Sequence, residues 1–505
     1  MEKTQETEQR NSQSNLLALH SVNIFLLIVN FALNFLGSPA LKYVYLIHVI
    51  VIVLGLLIYD FDQIFFEIIT LMFIEGQGRV LWHYQPWSRV AFDIITFLSI
   101  AKVFIQRKKI YDQKVVPWPV IVLIALHFLW YIIQFFNVNA VSIFGVLAAS
   151  KIYIYPIILF LGITLSNLNP ISKGFRQMLF GFYFIMILEV CLSYFHFTVK
   201  QQHLLSMSSY YYKAMKDGIF TDNLFRPFAT TALPGVLAIY IFLTVGFLFF
   251  MKQNIKGTIF KWVIIVLSFL TIITCQVRSA LVKFLLIIIF IQLGTMFYKR
   301  FSLRSILPFF VALIILVVGS QNFLSNGVSS EDENLNYAIG RASSLTEVSK
   351  VKNDRLNLTN FGKIIIDKIS KYPLGVGPGM TGAASSVNQN EIVKNPFIKK
   401  EFLWTSDNLI ISFALDLGIG GLFLLTLILF IPIYFVKYLL KMYAHKDEFH
   451  YHMLLICTSS AIVIIFGNWG AVGLTYNPES FIFWMYAALG FKIIGKYKDA
   501  KTLLT

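Results

Sequence analysis

The fold of this chain is decided by the polar stretch SNGVSSEDENLNYAIGRASSLTEVSKVKNDRLNLTN (residues 325–360), the centre of a polar interval that runs from Gln321 to Ser406. Outside this interval the sequence is a succession of apolar runs, and another run opens directly after it at Asp407-Asn408. A polar segment of this length between membrane helices must lie in water. We therefore predict one large extracytoplasmic loop mounted between membrane helices.

The composition predicts a membrane protein. Of the 505 residues, 57% are hydrophobic and 13% are charged, and the mean hydropathy is +0.70. A helix that crosses a bilayer needs about 20 apolar residues, and about fourteen runs of this kind follow one another along the chain. We therefore predict an all-α, polytopic integral membrane protein with about 12–14 transmembrane helices.

The basic residues indicate how the chain is oriented. The net charge is +16, but most Lys and Arg residues lie in short gaps between apolar runs, such as Arg107-Lys108-Lys109. Short cytoplasmic loops carry an excess of basic residues, and one orientation, with both termini cytoplasmic, places every such cluster inside. The charge therefore indicates topology in a membrane of lipids, and it gives no reason to expect a nucleic-acid partner.

This orientation divides the chain into five segments. They are a cytoplasmic N-terminal tail (1–20), transmembrane helices with a medium outer loop near 198–227 (21–320), the large extracytoplasmic loop (321–406), further transmembrane helices (407–494) and a cytoplasmic C-terminal tail (495–505).

Four ionisable residues inside or beside apolar runs are functional candidates, because such groups are costly in a membrane. They are Lys151, Glu189, Arg278 and Lys283. Lys151 and Glu189 lie in consecutive runs, so they either pair with each other or line a substrate pathway. Arg278 lies at the outer mouth between two runs, where its planar guanidinium can hold a phosphate without complete burial.

Three more arginines are predicted on the same side of the membrane. Arg226 opens a helix at its outer end, and Arg341 and Arg355 lie in the large loop. Together with Arg278 they would suit a pyrophosphate. For each loop arginine, a solvated surface position is the alternative.

Asp407 is the candidate general base. The large loop contains no histidine, and the chain lacks paired cysteines, a His-Glu-x-x-His motif and a Gly-x-Ser-x-Gly motif, so we predict no metal, no cofactor and no serine nucleophile. A half-buried carboxylate where the loop re-enters the membrane can act as a base. The alternative is that Asp407, with Asn408, only caps the following helix, in which case Glu391 and Glu401 are the next candidates.

Two local structures are predicted within the large loop. Apolar residues at helical spacing indicate an amphipathic helix from Leu358 to Tyr372, ended by Pro373. The glycines of Gly375-Val-Gly-Pro-Gly379 then allow a tight turn, which either presents backbone amides to an anion or is a plain loop.

Three stretches between Phe225 and Leu425 carry a family resemblance. They are Arg226-Pro-Phe-Ala-Thr-Thr-Ala-Leu-Pro-Gly, then Gln276-Val-Arg278-Ser-Ala, and finally Arg355 with Tyr372-Pro-Leu-Gly-Val-Gly-Pro-Gly379 and the segment 406–421. In this order they resemble the bacterial O-antigen polymerase and ligase family, with Val277 where that family usually has Ser.

The resemblance implies an enzyme of the bacterial cytoplasmic (inner) membrane that needs no metal. The donor would be a glycan on undecaprenyl pyrophosphate, held by arginines, and the acceptor another glycan. A chain-length regulator or other polysaccharide assembly proteins would be partners. Asp407-Asn408 stands where ligases of the family commonly have His-Asn, which favours a polymerase over a ligase. A lipid-linked oligosaccharide flippase is the alternative from another class, since Lys151 and Glu189 would fit a transporter.

Overall fold

The computed structural model describes residues 2–82, 97–98, 100–105, 115–140, 143–207, 220–221, 224–231, 234–249, 255–299, 365–367, 369–380, 409–468, 474 and 479–502. Of the long polar interval, only 365–367 and 369–380 are therefore described. Residues 365–367 and 369–371 are helical, and the helical conformation ends before Pro373, as its fixed φ and missing N–H predict.

The chain divides into two compact units. The first takes its described residues from Met1–Ile110 and Leu165–Val277, and the second from Tyr111–Thr164, Arg278–Val328 and Ile339–Thr505. Apart from one antiparallel pair of two-residue strands, β1 (Phe220–Thr221) and β2 (Leu224–Phe225), the regular elements of the described residues are helices.

The first unit contains α1 (Glu2–Phe35), α2 (Leu41–Ile58), α3 (Phe65–Leu81), α7 (Lys173–Met207), α8 (Pro234–Leu248) and α9 (Ile255–Thr274). Helix α3 is at the centre of this unit, because every residue of α3 except Arg79 is buried. Close packing depends on Gly78, where a Cβ would lie 2.1 Å from the ring of Tyr45. A helix this deeply buried needs no lipid-facing side and can carry polar residues.

The second unit contains α4 (Trp118–Ile133), α5 (Ile143–Tyr153), α6 (Tyr155–Leu165), α10 (Arg278–Lys299), α11 (Leu409–Leu417), α12 (Ile419–Ala444), α13 (Glu448–Gly467) and α14 (Glu479–Thr502). The final residue of α6, Leu165, is assigned to the first unit.

Contacts within the second unit fix the directions of its long helices. Lys283, near the start of α10, bonds Asn468 at the end of α13, whereas the ring of Tyr298, near the end of α10, packs against that of Tyr451 near the start of α13. Helices α10 and α13 are therefore antiparallel. Only residues 445–447 separate α12 from α13, which makes these two helices antiparallel. Asn468 at the end of α13 bonds Glu479 at the start of α14, so the starts of α10, α12 and α14 share one end of the unit with the end of α13.

Eight helices among the described residues are long and apolar enough to cross a membrane. These spans are 14–35, 41–58, 118–136, 145–165, 181–198, 279–298, 419–444 and 448–467. The chain thus has the all-helical, multi-pass architecture that its composition predicts. Of the other predicted runs, 61–76, 228–250, 261–277 and 479–494 coincide with described helices that are not among these eight spans, whereas 305–321 and most of 88–105 lie outside the described ranges. The predicted count of 12–14 crossings and the extracytoplasmic loop therefore stay predictions.

The structure interrupts or extends three of the runs that the sequence suggests. The run from 141 to 165 breaks between α5 and α6 at Ile154, just before Pro156, and the run that begins near 408 breaks at Gly418. At the other end of the chain, α1 begins at Glu2 and continues without a break into the first span, so residues 2–20 are helical.

Candidate functional site

The segment Arg226–Thr231 of the first unit is buried although it is not helical. Arg226 is half-buried, and Pro227 to Thr231 are buried. The segment packs closely against α3, because a Cβ on Gly76 would lie 2.3 Å from the backbone carbonyl of Thr231. Only glycine allows this approach, so the segment packs with its backbone directly against α3.

Glu189 holds this segment in place. Its Oε2 accepts a hydrogen bond from the backbone N–H of Thr230 at 3.2 Å, and its Oε1 accepts from the hydroxyl of the same threonine. Glu189 is fully buried and lies midway along the span 181–198. Non-helical backbone is tolerated at such a depth only where protein or a polar cavity surrounds it.

Arg226 connects two of the stretches that carry the family resemblance. Its Nε donates to the carbonyl oxygen of Cys275 at 3.0 Å, and the Cys275 thiol lies 3.4 Å from the carbonyl oxygen of Pro227. The first stretch is thereby bonded to the turn that opens the second. In that turn Gln276 adopts a positive φ of 58°, and its buried side-chain amide has no hydrogen-bond partner among the described residues.

The two members of the predicted pair, Lys151 and Glu189, belong to different units. Lys151 is half-buried on α5 in the second unit, whereas Glu189 belongs to the first. Within its own unit Glu189 is bonded to Thr230. The pairing of Lys151 with Glu189 stays a prediction, as does the substrate pathway that was its alternative.

Arg278 is the first residue of α10, and a buried polar triad follows it. One turn further along α10, the Nζ of Lys283 donates to Glu479 Oε1 at 2.5 Å and to Asn468 Oδ1 at 3.0 Å. Asn468 in turn donates its Nδ2 to the same Glu479 oxygen at 3.0 Å. Removing one charged member of such a pair leaves an uncompensated buried charge, which is strongly destabilising. The triad therefore holds the start of α10, the end of α13 and the start of α14 next to one another.

Backbone amides of the glycine stretch 375–379 donate hydrogen bonds to other parts of the protein. The N–H of Val376 donates to the carbonyl oxygen of Leu415 at 2.8 Å, and that of Gly377 donates to the carbonyl oxygen of Asp416 at 3.2 Å. These are carbonyls of the last turn of α11, which helices leave without internal partners. The stretch therefore caps the end of α11, and the prediction that its amides present an anion site loses these donors.

Asp416 completes this junction. Its Oδ2 accepts from the backbone N–H of Gly379 at 3.0 Å and from the hydroxyl of Tyr153 at 2.8 Å, and the residue is fully buried. Side chains that follow α4 secure the other side of the stretch, since Gln134 Nε2 donates to the carbonyl oxygen of Leu374 at 2.9 Å and Asn137 Nδ2 donates to that of Gly375 at 3.2 Å.

Glycine is required on both sides of the junction. Gly375 has a φ of 82°, and a Cβ there would lie 2.5 Å from the carbonyl oxygen of Asp416. Gly418 has a φ of 58°, and its Cβ would lie 2.1 Å from the carbonyl oxygen of Pro373. The two parts of the third stretch are thus brought together by backbone contacts that no other residue permits.

Several predicted site residues lie outside the described part of the chain. They are Asp407, Asn408, Arg341 and Arg355, together with the alternative bases Glu391 and Glu401. The backbone of Arg278 is described, but its side chain is not. The proposed base and most of the proposed cation cluster therefore stay predictions.

Three residues of these buried hydrogen-bond networks are not among the predicted site residues, namely Asp416, Tyr153 and Glu479. Asp416 stands inside an apolar run, so the criterion that selected Lys151 and Glu189 applies to it equally. Glu479 opens the last apolar run and resembles an ordinary first-turn acid. Tyr153 carries no sequence signal, because a tyrosine in an apolar run is commonplace.

Among the described residues no group of three His, Cys, Asp or Glu side chains is placed to hold a metal ion, and Cys191, Cys275 and Cys457 are free thiols.

No protein-family model matches the chain, and no curated protein matches it in sequence. The resemblance to the O-antigen polymerase and ligase family therefore depends on the three short stretches alone.

Proposed function

We propose that the chain is a membrane glycosyltransferase that polymerises oligosaccharide repeat units carried on undecaprenyl pyrophosphate. The proposal starts from the family resemblance and from the multi-pass helical architecture. The observation that carries it is the pairing of the resembling stretches: Arg226 is bonded to the turn before Arg278, and Gly375–Gly379 is bonded to the helix that follows Asp407. Each of these bonds joins residues that are far apart in sequence, and at least one of the two lies near a proposed site residue along the chain.

The reaction is a single displacement. An acceptor sugar hydroxyl loses its proton to Asp407, and its oxygen attacks the anomeric carbon at the reducing end of the lipid-linked chain. The bond from that carbon to the pyrophosphate oxygen breaks, and undecaprenyl pyrophosphate leaves. One displacement inverts the anomeric configuration.

The arginines meet the charge that develops on the leaving group. Arg278 and Arg226, with Arg341 or Arg355, would lie beside the pyrophosphate, and fixed cations placed where charge grows usually lower a barrier substantially. Arg226 is suited to this role because the Nε bond to Cys275 holds the guanidinium in one orientation. The chemistry uses these side chains and requires no metal.

The interior of the first unit supports a flippase as the second candidate. Side chains of four helices form a continuous buried chain of hydrogen bonds: Asn23 to His48, His48 to Asn30, Asn30 to Gln77, Gln77 to Asn34 and Asn34 to His196. Buried polar groups in membrane helices often mark a transport pathway. They also serve as plain contacts between helices, which is the role a glycosyltransferase would give them.

One experiment separates the candidates. Deletion of the gene, followed by extraction of the lipid-linked glycans, should leave single lipid-linked repeat units on the outer face if the chain is a polymerase. A ligase would leave full-length polymer on the lipid carrier, and a flippase would leave its substrate on the cytoplasmic face. Either of the last two outcomes, or an unchanged glycan profile, contradicts the proposed polymerase.

A further inference from the structure

The end of the second unit that lies opposite the glycine stretch carries a cluster of tyrosines and lysines from α12 and α14. Tyr434 and Tyr438 lie one turn apart on α12, with their hydroxyl oxygens 3.4 Å from each other. The Nζ of Lys441 on α12 and the Nζ of Lys498 on α14 each lie 5.2 Å from the centroid of the Tyr438 ring. Two cations thus converge on one aromatic ring from two different helices.

The two ammonium groups cannot be further apart than twice that distance. Both attract the face of the ring, but they repel each other, and the repulsion is stronger near a membrane than in bulk water. An anion with several oxygens, such as a phosphate, would relieve the repulsion by binding both. The Tyr438 hydroxyl, which accepts from Tyr434, has its own hydrogen to donate to the same group.

The acidic residues at this end of the unit have other partners. Asp447 accepts from His450 at 2.8 Å, Glu448 lies 3.5 Å from His452, and Asp499 lies 3.9 Å from Lys496. Five lysines of the described residues at this end outnumber these three carboxylates, so the local charge around Tyr438 is positive; they are Lys437, Lys441, Lys446, Lys496 and Lys498. A negatively charged ligand is the complementary one.

The cluster lies at the depth of lipid headgroups. Helix α12 has 26 residues, or roughly 39 Å at 1.5 Å per residue, whereas the hydrocarbon core of a bilayer is about 30 Å thick. Tyr438 and Lys441 lie in the last two turns of α12, and Lys498 lies in the last two turns of α14. Tyrosine and lysine are the residues that membrane interfaces favour.

An apolar surface for acyl chains borders the cluster on the side of Lys441, which lies about a quarter turn around α12 from the exposed residues Ile433 and Leu440. Ile433 is 67% exposed and Leu440 is 65% exposed, although both lie within an apolar membrane span. Their exposure within that span marks a lipid-facing side of the helix. A ligand here meets cations at its head and an apolar helix face below.

We propose that Tyr438, Lys441 and Lys498 form a binding site for one anionic phospholipid, with its headgroup phosphate between the two lysines. The acyl chains lie along the exposed side of α12. Basic pockets between membrane helices suit such headgroups, and each basic residue near an anionic membrane surface strengthens binding by roughly fivefold. This site is separate from the proposed glycosyltransferase chemistry and does not depend on it.

Native mass spectrometry of the purified full chain, titrated with phosphatidylglycerol or phosphatidylcholine, tests the proposal. The wild type should bind the first phosphatidylglycerol more tightly than the first phosphatidylcholine. Lys441→Gln and Lys498→Gln should each weaken binding of phosphatidylglycerol by roughly fivefold, and the double variant by more. Lys498→Arg keeps the charge and should retain the wild-type affinity.

Lys42→Gln is the matched control, because Lys42 also lies over a tyrosine ring, at 4.8 Å from the centroid of Tyr43, but as a single lysine among those described. This variant should bind phosphatidylglycerol as the wild type does. The proposal is wrong if Lys441→Gln and Lys498→Gln behave like this control, or if the wild type does not distinguish the two lipids. It is also wrong if millimolar inorganic phosphate displaces the bound lipid, since the site then takes free phosphate.

Discussion

Two non-helical segments of this protein are each held by a fully buried carboxylate. In the first unit, Glu189 accepts two hydrogen bonds from Thr230. In the second, Asp416 accepts one from Gly379 and one from Tyr153. The first segment carries Arg226 at its start, whereas 372–380 contains no charged side chain.

The two segments are fitted to the protein in different ways. Arg226–Thr231 depends on side-chain bonds, from Thr230 to Glu189 and from Arg226 to Cys275. The glycine stretch depends on backbone, because Gly375, Gly377 and Gly379 all have a positive φ and their neighbours leave no room for a Cβ at Gly375 or Gly377. One segment therefore positions the charged side chain of Arg226, for which we propose a role in the reaction, whereas the other sets the position of the helix that follows Asp407.

Both segments belong to parts of the chain that are predicted to lie on the outer side of the membrane. In a chain whose native cysteines are replaced, a cysteine at Ser330 or Ser385 should react completely with an impermeant thiol reagent applied to whole cells, whereas one at Ser302 should stay unlabelled. The physical basis is the placement of the basic clusters. Labelling in the reverse pattern would overturn the site proposal.

A second test contrasts two carboxylates at opposite ends of α11. Asp407→Asn should reduce glycan polymerisation by roughly 100-fold or more at normal expression, because an amide cannot accept a proton as a base does. Asp416→Asn should retain most activity, since its amide oxygen can still accept from Gly379 and Tyr153. Polymer formation in vitro from purified lipid-linked repeats measures both.

The same assay decides between a base and a cap at Asp407. Asn and Ser are good replacements for a helix cap and cost at most about 1 kcal/mol of stability. Wild-type polymer in both Asp407→Asn and Asp407→Ser would make the residue only a cap. The search for the base would then move to Glu391 and Glu401.

A third test concerns the backbone fit of the glycine stretch. Gly418→Ala should destabilise the protein by about 3 kcal/mol or more, because the residue has a positive φ and its Cβ would meet the carbonyl oxygen of Pro373. Thermal unfolding in detergent measures the loss. Gly235→Ala in the first unit is the matched control, since nothing lies within 4 Å of its Cβ, and it should stay within about 1 kcal/mol of the wild type. Equal losses in the two variants would refute the backbone argument.

The smallest effect is expected at Thr230. Thr230→Val removes the hydroxyl that donates to Glu189 and should cost about 1–3 kcal/mol, because a buried acceptor loses a donor. Thr231→Val is the control, since that hydroxyl donates to the nearby carbonyl oxygen of Phe228 at 2.8 Å and not to a buried carboxylate, and the loss there should be about 1 kcal/mol. If the two variants unfold at the same temperature, Glu189 does not depend on Thr230.

Much of the fold follows from local patterns in the sequence. Apolar runs of about 20 residues predict membrane helices, and Pro373 predicts where a helix stops. The same patterns miss the breaks at Ile154 and Gly418, because an apolar run reads alike whether one helix or two occupy it. They also miss the role of α3, because its glycines allow the close approach of Thr231 and Tyr45 only when the helix is buried at the centre of the first unit.

The candidate site, too, is predicted only in part by local sequence patterns. The glycines of 375–379 predict an unusual backbone, but not its partner, and an anion and the end of α11 are equally good acceptors for free amides. Asp416, Tyr153 and Asn137 come from different parts of the chain, and nothing in their own neighbourhoods indicates that they meet the glycine stretch.

The sequence by itself determined that this is a helical, multi-pass membrane protein, where the chain turns polar and which ionisable residues lie in apolar surroundings. These properties depend on composition and spacing, which act over one or two helical turns. Tertiary structure alone decided that Glu189 holds Thr230, that Lys283 pairs with Glu479 and that Asp416 receives the glycine stretch. A buried charge must find hydrogen-bond partners, and in a membrane protein those partners come from whichever helices pack beside it.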